Sequence, residues 1–306
     1  MALTVGQAVV PATPSEALAR ARQRAALLPD LLVEARRVVN TVIAGWHGRK
    51  RRGIGENFWQ FRPYVEGDAT ARIDWRRSAR DDHTYVRDRE WEAAHTVWLW
   101  ADPSRSMLFK SQGASVSKES RAMVLILALA ELLSRSGECV AWPGVSDPIA
   151  ARNAAERLAA RLAHAAAQPT RPDLGNVRRF SDVILASDFL DPPAETFAWL
   201  DPLARRGARV HLIEVCDPAE ENFPYAGRTE FRDPETGARL TAGRAERLAD
   251  EYRQRFVARR EELASQAKRR GWSFIVNHTD RLASEALVAV HNAMSGDFAS
   301  APGARR

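Results

Sequence analysis

What the chain lacks narrows its function before any motif is found. Only two of its 306 residues are cysteine, Cys139 and Cys216, and each sits in an apolar run. A disulfide-stapled scaffold is thereby excluded, and two buried thiols in a reducing cytoplasm are expected. No apolar stretch reaches membrane-spanning length, since the most apolar run, residues 122–130, stops at Glu131. The start, MALTVGQAVVPATPSEALAR, has neither the basic opening nor the continuous apolar core of a signal peptide. These two absences predict a protein with no membrane anchor of its own. There is no G-x-x-x-x-G-K-[ST], so any ATP-driven work falls to a partner. His47, His83, His95, His164, His211, His278 and His291 show no H-E-x-x-H spacing, and none is nominated as a zinc ligand. No G-x-S-x-G elbow occurs with a partnered histidine, which argues against a serine hydrolase. Gly53 and Gly55 give G-x-G alone with no strand before them, so a dinucleotide fingerprint is rejected. Fixed-period repeats and low-complexity tracts are missing as well.

What is present describes an ordinary globular protein, 45% hydrophobic and 27% charged, long enough to bury a substantial core. Its formal charge of +6, from 45 Lys+Arg against 39 Asp+Glu, permits an acidic partner without naming one. The organising stretch is HTVWLWADPSRSM. Its apolar run 97–101 reads as a buried strand that ends in Asp102, with Ser104 and Ser106 in the turn beyond. Open α/β sheets place ligands at that carboxyl end. Three small oxygen donors without Cys or His nearby suit a hard cation such as Mg2+ or Mn2+. Asp-Pro-Ser-x-Ser is also good turn and N-cap chemistry, and on that stretch alone the turn reading is favoured. A second stretch, VILASDFLD, changes the balance. Its apolar run 183–186 is followed by Ser187 and Asp188, and two such strands side by side would bring both acids together.

Strands then alternate with helices along the chain, which implies a parallel sheet covered on both faces. Ser117 caps a helix that stops at Gly137. Strand 138–142, helix 150–166, strand 183–187, helix 194–206 and strand 210–215 follow. A hairpin is expected near 217–241, its turn built by Asp233, Pro234 and Gly237. A charged helix 244–270, the strand SFIVN and the helix LASEALVAVHNAM close the unit. Before all this lie a tail up to about Pro14, a helical stretch with Ser15 as N-cap, the basic cluster Arg49, Lys50, Arg51 and Arg52, and a dense block from Gly53 to Glu92. In that block Arg62, Arg72, Arg76, Arg80 and Arg87 lie near Glu56, Asp68, Asp74 and Glu90, in reach of bidentate pairing, and Trp59, Phe61, Tyr64 and Trp75 call for burial. The domains expected are 1–45, a tail and helical segment; 46–92, short strands and loops; and 93–306, the main α/β domain.

Two resemblances sharpen this reading. D-P-S-R-S resembles the D-x-S-x-S metal-ion-dependent adhesion motif of von Willebrand factor type A domains, and S-D-F resembles the strand end that supplies their second acid. The resemblance implies a von Willebrand A-like, Rossmann-like sheet in which Ser104 and Ser106 coordinate the cation directly and Asp102 and Asp188 act directly or through water. Such sites usually add a Thr from an intervening loop. Thr170 is the one well-placed candidate, although a turn residue beside a helix reads the same way. The runs G-I-G-E-N-F, R-P-Y-V-E-G-D, R-I-D-W-R-R-S-A-R and Y-V-R-D-R-E-W-E closely resemble the signature of the bacterial family called domain of unknown function 58, in which that signature precedes a von Willebrand A-like domain. F-R-D-P-E-T-G-A-R-L resembles that family's late hairpin. Relatives are associated with MoxR-type AAA+ ATPases in protein maturation, complex assembly or stress responses.

The function expected is a non-enzymatic protein-interaction module whose cation takes an acidic residue from a partner, a MoxR-type AAA+ ATPase. A metal-dependent hydrolase using the same carboxylates is the first alternative, and it lacks an evident general base. Nucleic-acid binding through the basic cluster is the second, weakened because the arginines beyond it alternate with acids.

Overall fold

The computed structural model describes residues 14–46, 58–65, 73–80, 83–89, 95–165 and 168–294. The expectations placed on the tail, on Arg49 to Arg52 and on the Gly53–Gly55 run lie outside the described residues. The chain divides into two compact units, residues 46–95 and the remainder, so the first helix belongs with the main unit.

The main unit is an α/β fold around a six-stranded sheet. Its strands, in chain order, are β3 (Thr96–Ala101), β4 (Cys139–Trp142), β5 (Ser146–Ile149), β6 (Asp182–Ser187), β7 (Arg209–Cys216) and β10 (Ser273–His278). They lie in the order β10-β7-β6-β3-β4-β5, all parallel except β5, which turns back antiparallel on β4. The antiparallel edge strand β5 is an element the sequence pattern did not announce, since Asp147 and Pro148 interrupt its apolar character. The chain starts the sheet at β3, adds β4 on one side, then crosses to add β6 on the other. The carboxyl ends of β3 and β6 therefore flank the switch point, where α/β sheets open a crevice.

Helix α3 (Lys118–Arg135) packs on β3, β4, β6 and β7, with α4 (Ala154–His164) and α8 (Ala283–Met294) beside it. The sheet's remaining helices, α5 (Pro193–Arg206) and α7 (Ala249–Arg269), pack on each other and on β7 and β10. Ser117 caps α3 by accepting from the Ser120 N–H, as its sequence suggests. α3 is buried on every side, a consequence of its unbroken MVLILALA run. Part of the cover comes from α1 (Pro14–Trp46), where Leu28, Ala35, Val39 and Val42 are buried. Arg36 of α1 pairs with Glu156 of α4, and the buried Glu131 of α3 pairs with Arg135 at 2.7 Å. The short α6 (Pro218–Asn222) and the hairpin of β8 (Thr229–Arg232) and β9 (Arg239–Ala242) follow β7, with the turn at Asp233 to Gly237 as anticipated. The charged helix starts later than its sequence suggests, after a 3-10 turn over Ala245–Leu248.

The smaller unit holds the antiparallel pair β1 (Phe58–Pro63) and β2 (Tyr85–Arg89) and a single helical turn, α2 (Trp75–Ser78). Asp74 caps that turn by accepting from the Arg77 N–H at 2.9 Å, and Arg77 lies over the Tyr85 ring at 5.4 Å. The expectation of burial fails for Trp75, which is 67% exposed, and Arg76 and Arg80 are exposed too. A four-residue helix has only one inward face, and Trp75, at its first position, points off it.

Candidate functional site

Asp102 directly follows β3 and Asp188 directly follows β6, so the parallel register that pairs Ala101 with Ala186 sets their backbones at one edge. The Asp102 N–H donates to the Ala186 carbonyl at 2.8 Å and carries that pairing one residue past the strand. Both Asp102 oxygens are engaged: Oδ1 accepts the Ser104 N–H at 2.8 Å and Oδ2 accepts the Ser187 hydroxyl at 2.6 Å. Ser104 and Ser106 place their hydroxyl oxygens 3.0 Å apart. The spacing of two lets the Asp102 turn, closed on the Ser104 N–H, bring both hydroxyls to one side. Ser106, Ser187 and Asp188 are buried, and Ser104 is half-buried.

Burial, and next the Asp188 carboxylate, push the Asp102 carboxyl up to about 6, against the opposing hydrogen bonds from Ser187 and Ser104. Asp188 is held differently. Its Oδ2 accepts from the ammonium of Lys118 at 2.8 Å, and the same ammonium donates to Glu220 Oε1 at 2.5 Å. Lys118 is 0% exposed. Burial alone would lower its pKa, but Asp188 and Glu220 more than offset that and raise it, so it is a fixed positive charge. Glu220 also accepts the Asp217 N–H through Oε2, closing a capping box with Asp217 at the start of α6. The backbone after Asp188 is left-handed at Phe189, with φ 46°, a conformation a bulky residue adopts only when held. The Ser187 hydroxyl takes the Phe189 N–H at 3.0 Å, and Arg259 donates to the Asp188 and Phe189 carbonyls at 3.0 and 2.5 Å.

The residues singled out in the sequence divide clearly. Asp102, Ser104, Ser106 and Asp188 come together at the switch point. Thr170 does not join them: it is exposed in the segment between α4 and β6 and makes no hydrogen bond with any of the four. Three residues at this edge went unread in the sequence. Lys118 and Glu220 are two of them, a charge pair made across 102 positions by helix starts, with only the capping pattern at Asp217 to hint at Glu220. Glu235, at the tip of the hairpin, is the third, and its Oε1 accepts the Ser106 N–H at 2.8 Å. Along the same sheet edge, Cys216, Glu221 and His278 put potential ligand atoms within 4.8 Å of one another. Glu221 is already paired there, with His278 at 2.6 Å and Arg260 at 2.9 Å, and burial pushes the Cys216 thiol up to about 12.

The donor set at the switch point is all oxygen, two carboxylates and two hydroxyls, which fits a hard divalent cation. Charge balance fits as well. Among the described residues no Lys or Arg pairs with Asp102, and Asp188 and Glu220 share one ammonium.

A family model described as "Protein of unknown function DUF58" matches residues 60–266, more than half of the chain. The chain belongs to the DUF58 family. This DUF58 chain is 29% identical over 280 residues to uncharacterized proteins of Mycobacterium tuberculosis (strain H37Rv) and Mycobacterium bovis, covering 84% of itself and 85% of each relative. Among solved structures it is similar to the conserved hypothetical protein BatB from Bacteroides thetaiotaomicron, at 17% identity and a TM-score of 0.37 over 66% of this chain and 99% of that one. An aerotolerance-related membrane protein from Bacteroides fragilis scores 0.37 at 15% identity over the same shares. Likenesses at that score carry no weight for the site. No helix among the described residues is long and apolar enough to cross a membrane.

Proposed function

We propose that the main unit is a von Willebrand A-like, non-enzymatic interaction module in which Mg2+ or Mn2+, held by Asp102, Ser104, Ser106 and Asp188, receives an acidic residue of a partner protein, a MoxR-type AAA+ ATPase. The observation that carries this reading is the hydrogen-bonded cluster itself: the Asp102 and Asp188 strand ends at the switch point, tied by the 2.6 Å bond from Ser187, with the two serine hydroxyls 3.0 Å apart beside them. When bound, the cation supplies a fixed positive charge with open positions for an external carboxylate. The chain's own residues do the rest. Ser187 and the Ser104 N–H orient Asp102, and Lys118 anchors Asp188. The two buried free thiols accord with a cytoplasmic setting.

Calorimetric titration of Mg2+ and Mn2+ is the test. Wild-type protein should bind one divalent ion, Asp102→Asn should lose it while remaining folded, and Thr170→Ala should bind like wild type. Unchanged binding in Asp102→Asn refutes the assignment. One observation favours the hydrolase reading, namely that a carboxyl pushed to about 6 is the kind of group enzymes use as a general base. Against it, Asp102 is hydrogen-bonded to the Ser104 N–H and the Ser187 hydroxyl, and among the described residues no histidine or second acid is hydrogen-bonded to it to relay a proton. Mg2+-dependent turnover of a generic phosphate or carboxylic ester, lost in Asp102→Asn, would decide for the hydrolase.

A further inference from the structure

We infer that the amino end of the sheet, opposite the candidate cation site, docks on an anionic membrane surface, with Phe180 as the side chain that enters the headgroup layer. The register puts the starts of three neighbouring strands together there, since Asp182 opens β6 beside Arg209 of β7 and Ser273 opens β10 beside His211. Cations crowd these starts: Arg178 and Arg179 lead into β6, Arg205, Arg206 and Arg209 into β7, and Lys268 and Arg269 into β10, all of them exposed. In residues 177–182, 203–211 and 266–273 the single acid is Asp182, which is buried and pairs with Arg209 at 2.7 Å. Among the described residues no carboxylate pairs with Arg178, Arg179, Arg205, Arg206, Lys268 or Arg269.

Basic residues in the last turns of α5 and α7 complement the helix dipoles, and Arg205, Arg206, Lys268 and Arg269 are accounted for in that way. Arg178 and Arg179 have no such duty. They sit in a tight turn, closed by the Ser181 N–H on the Arg178 carbonyl at 3.3 Å and rooted by the buried Val177 and Ser181. Its third residue, Phe180, is left-handed at φ 63° and 66% exposed. Gly or Asn would close the turn with less strain, and neither would set an aromatic ring in water. A residue that costs the fold on both counts is explained by a contact outside it. The Arg179 guanidinium lies 4.5 Å from the ring centroid, and its stem runs 3.8 Å from where a side chain on Gly207 would begin, which ties the turn to the α5 end of the patch.

An anionic lipid surface answers both halves of this arrangement. Lipid phosphates attract clustered Arg and Lys, and an aromatic ring at a projecting tip suits the boundary between headgroups and acyl chains. Single-stranded nucleic acid fits less well, because it takes several aromatic platforms along a groove, and these three segments expose one ring on one turn. β6 spans six residues, about 20 Å, so the Asp188 edge lies away from the lipid and stays open to a partner. The inference does not depend on the cation reading.

Flotation of the full chain with vesicles made of equal parts phosphatidylcholine and phosphatidylglycerol is the test. Wild type should bind these vesicles at low salt, should not bind pure phosphatidylcholine, and should lose affinity as salt rises. Arg178→Glu combined with Arg179→Glu should weaken binding about twentyfold or more. Phe180→Asn keeps the turn and every charge, and should weaken binding about fivefold while its thermal melt matches or exceeds that of wild type. Asp102→Asn should bind as wild type does, which separates this edge from the cation site. No binding to the anionic vesicles, or wild-type affinity in the double variant, overturns the inference, and wild-type affinity in Phe180→Asn overturns the role given to the ring. A labelled single-stranded RNA bound more tightly than the anionic vesicles, and lost in the double variant, overturns it in favour of nucleic acid.

Discussion

Burial and the neighbouring Asp188 carboxylate raise the Asp102 carboxyl from its ordinary 3.8 to about 6. The native state therefore binds this proton more tightly than the unfolded chain does. The linkage follows in sign: stability from this group is fully present below about pH 4 and falls as pH rises through about 6. By pH 7 the cation-free protein should have lost on the order of 1 to 3 kcal/mol on this account. Asp102→Asn should remove that slope, so thermal melts from pH 4 to 7 in chelator should run flatter than wild type between about 4 and 6. An unchanged slope would assign the titration to another group. Lys118 makes the opposite case. Lys118→Met leaves Asp188 and Glu220 buried without their ammonium and should cost about 3 to 5 kcal/mol in urea denaturation. Adding Glu220→Gln should recover part of the loss. None of this was legible at the residue level: a lysine at the first position of a helix is ordinarily a solvated end, and only the fold turns Lys118 inward.

The elements were far more legible than the contacts between them. β3, β6 and α3 follow from unbroken apolar runs bounded by Asp, Ser or Gly, β7 from a mostly apolar run that His211 and Glu214 interrupt, and Gly207 closes α5 in the left-handed conformation. The boundaries that slipped have physical causes. α4 starts at Ala154 rather than near 150, since β5 and a turn take up the preceding residues. β5 itself, with an Asp-Pro core and two exposed positions, carries no strand pattern and forms because β4 offers it an edge. All-round burial makes α3 the stiffest test of packing. Leu129→Ala, at 0% exposure, should destabilise by about 2 to 5 kcal/mol in a chemical melt, whereas a loss below about 1 would mean the helix is covered less tightly than described.

At the scale of the whole molecule, sheet order converts two separated motifs into one site. Asp102 and Asp188 are 86 positions apart by their numbers, and the crossover that sets β6 beside β3 makes them neighbours at the switch point. The four residues brought together there were readable because strand ends at a parallel edge converge by geometry. Thr170 is itself exposed and hydrogen-bonds none of the four, although Leu174 and Val177 in the same segment are buried, and Glu235 was unreadable because a hairpin tip can point anywhere until the sheet is built. The central claim is that this edge binds a partner protein through a divalent cation. Its most direct measurement is the affinity of the full chain for a purified MoxR-type AAA+ ATPase in Mg2+, in chelator, and with Ser104→Ala and Ser106→Ala combined. The account predicts a complex in Mg2+ that chelator and the double variant each abolish, with added salt weakening it less than it would a nucleic-acid complex. A complex that survives both treatments unchanged would contradict it and make the serine turn a structural one.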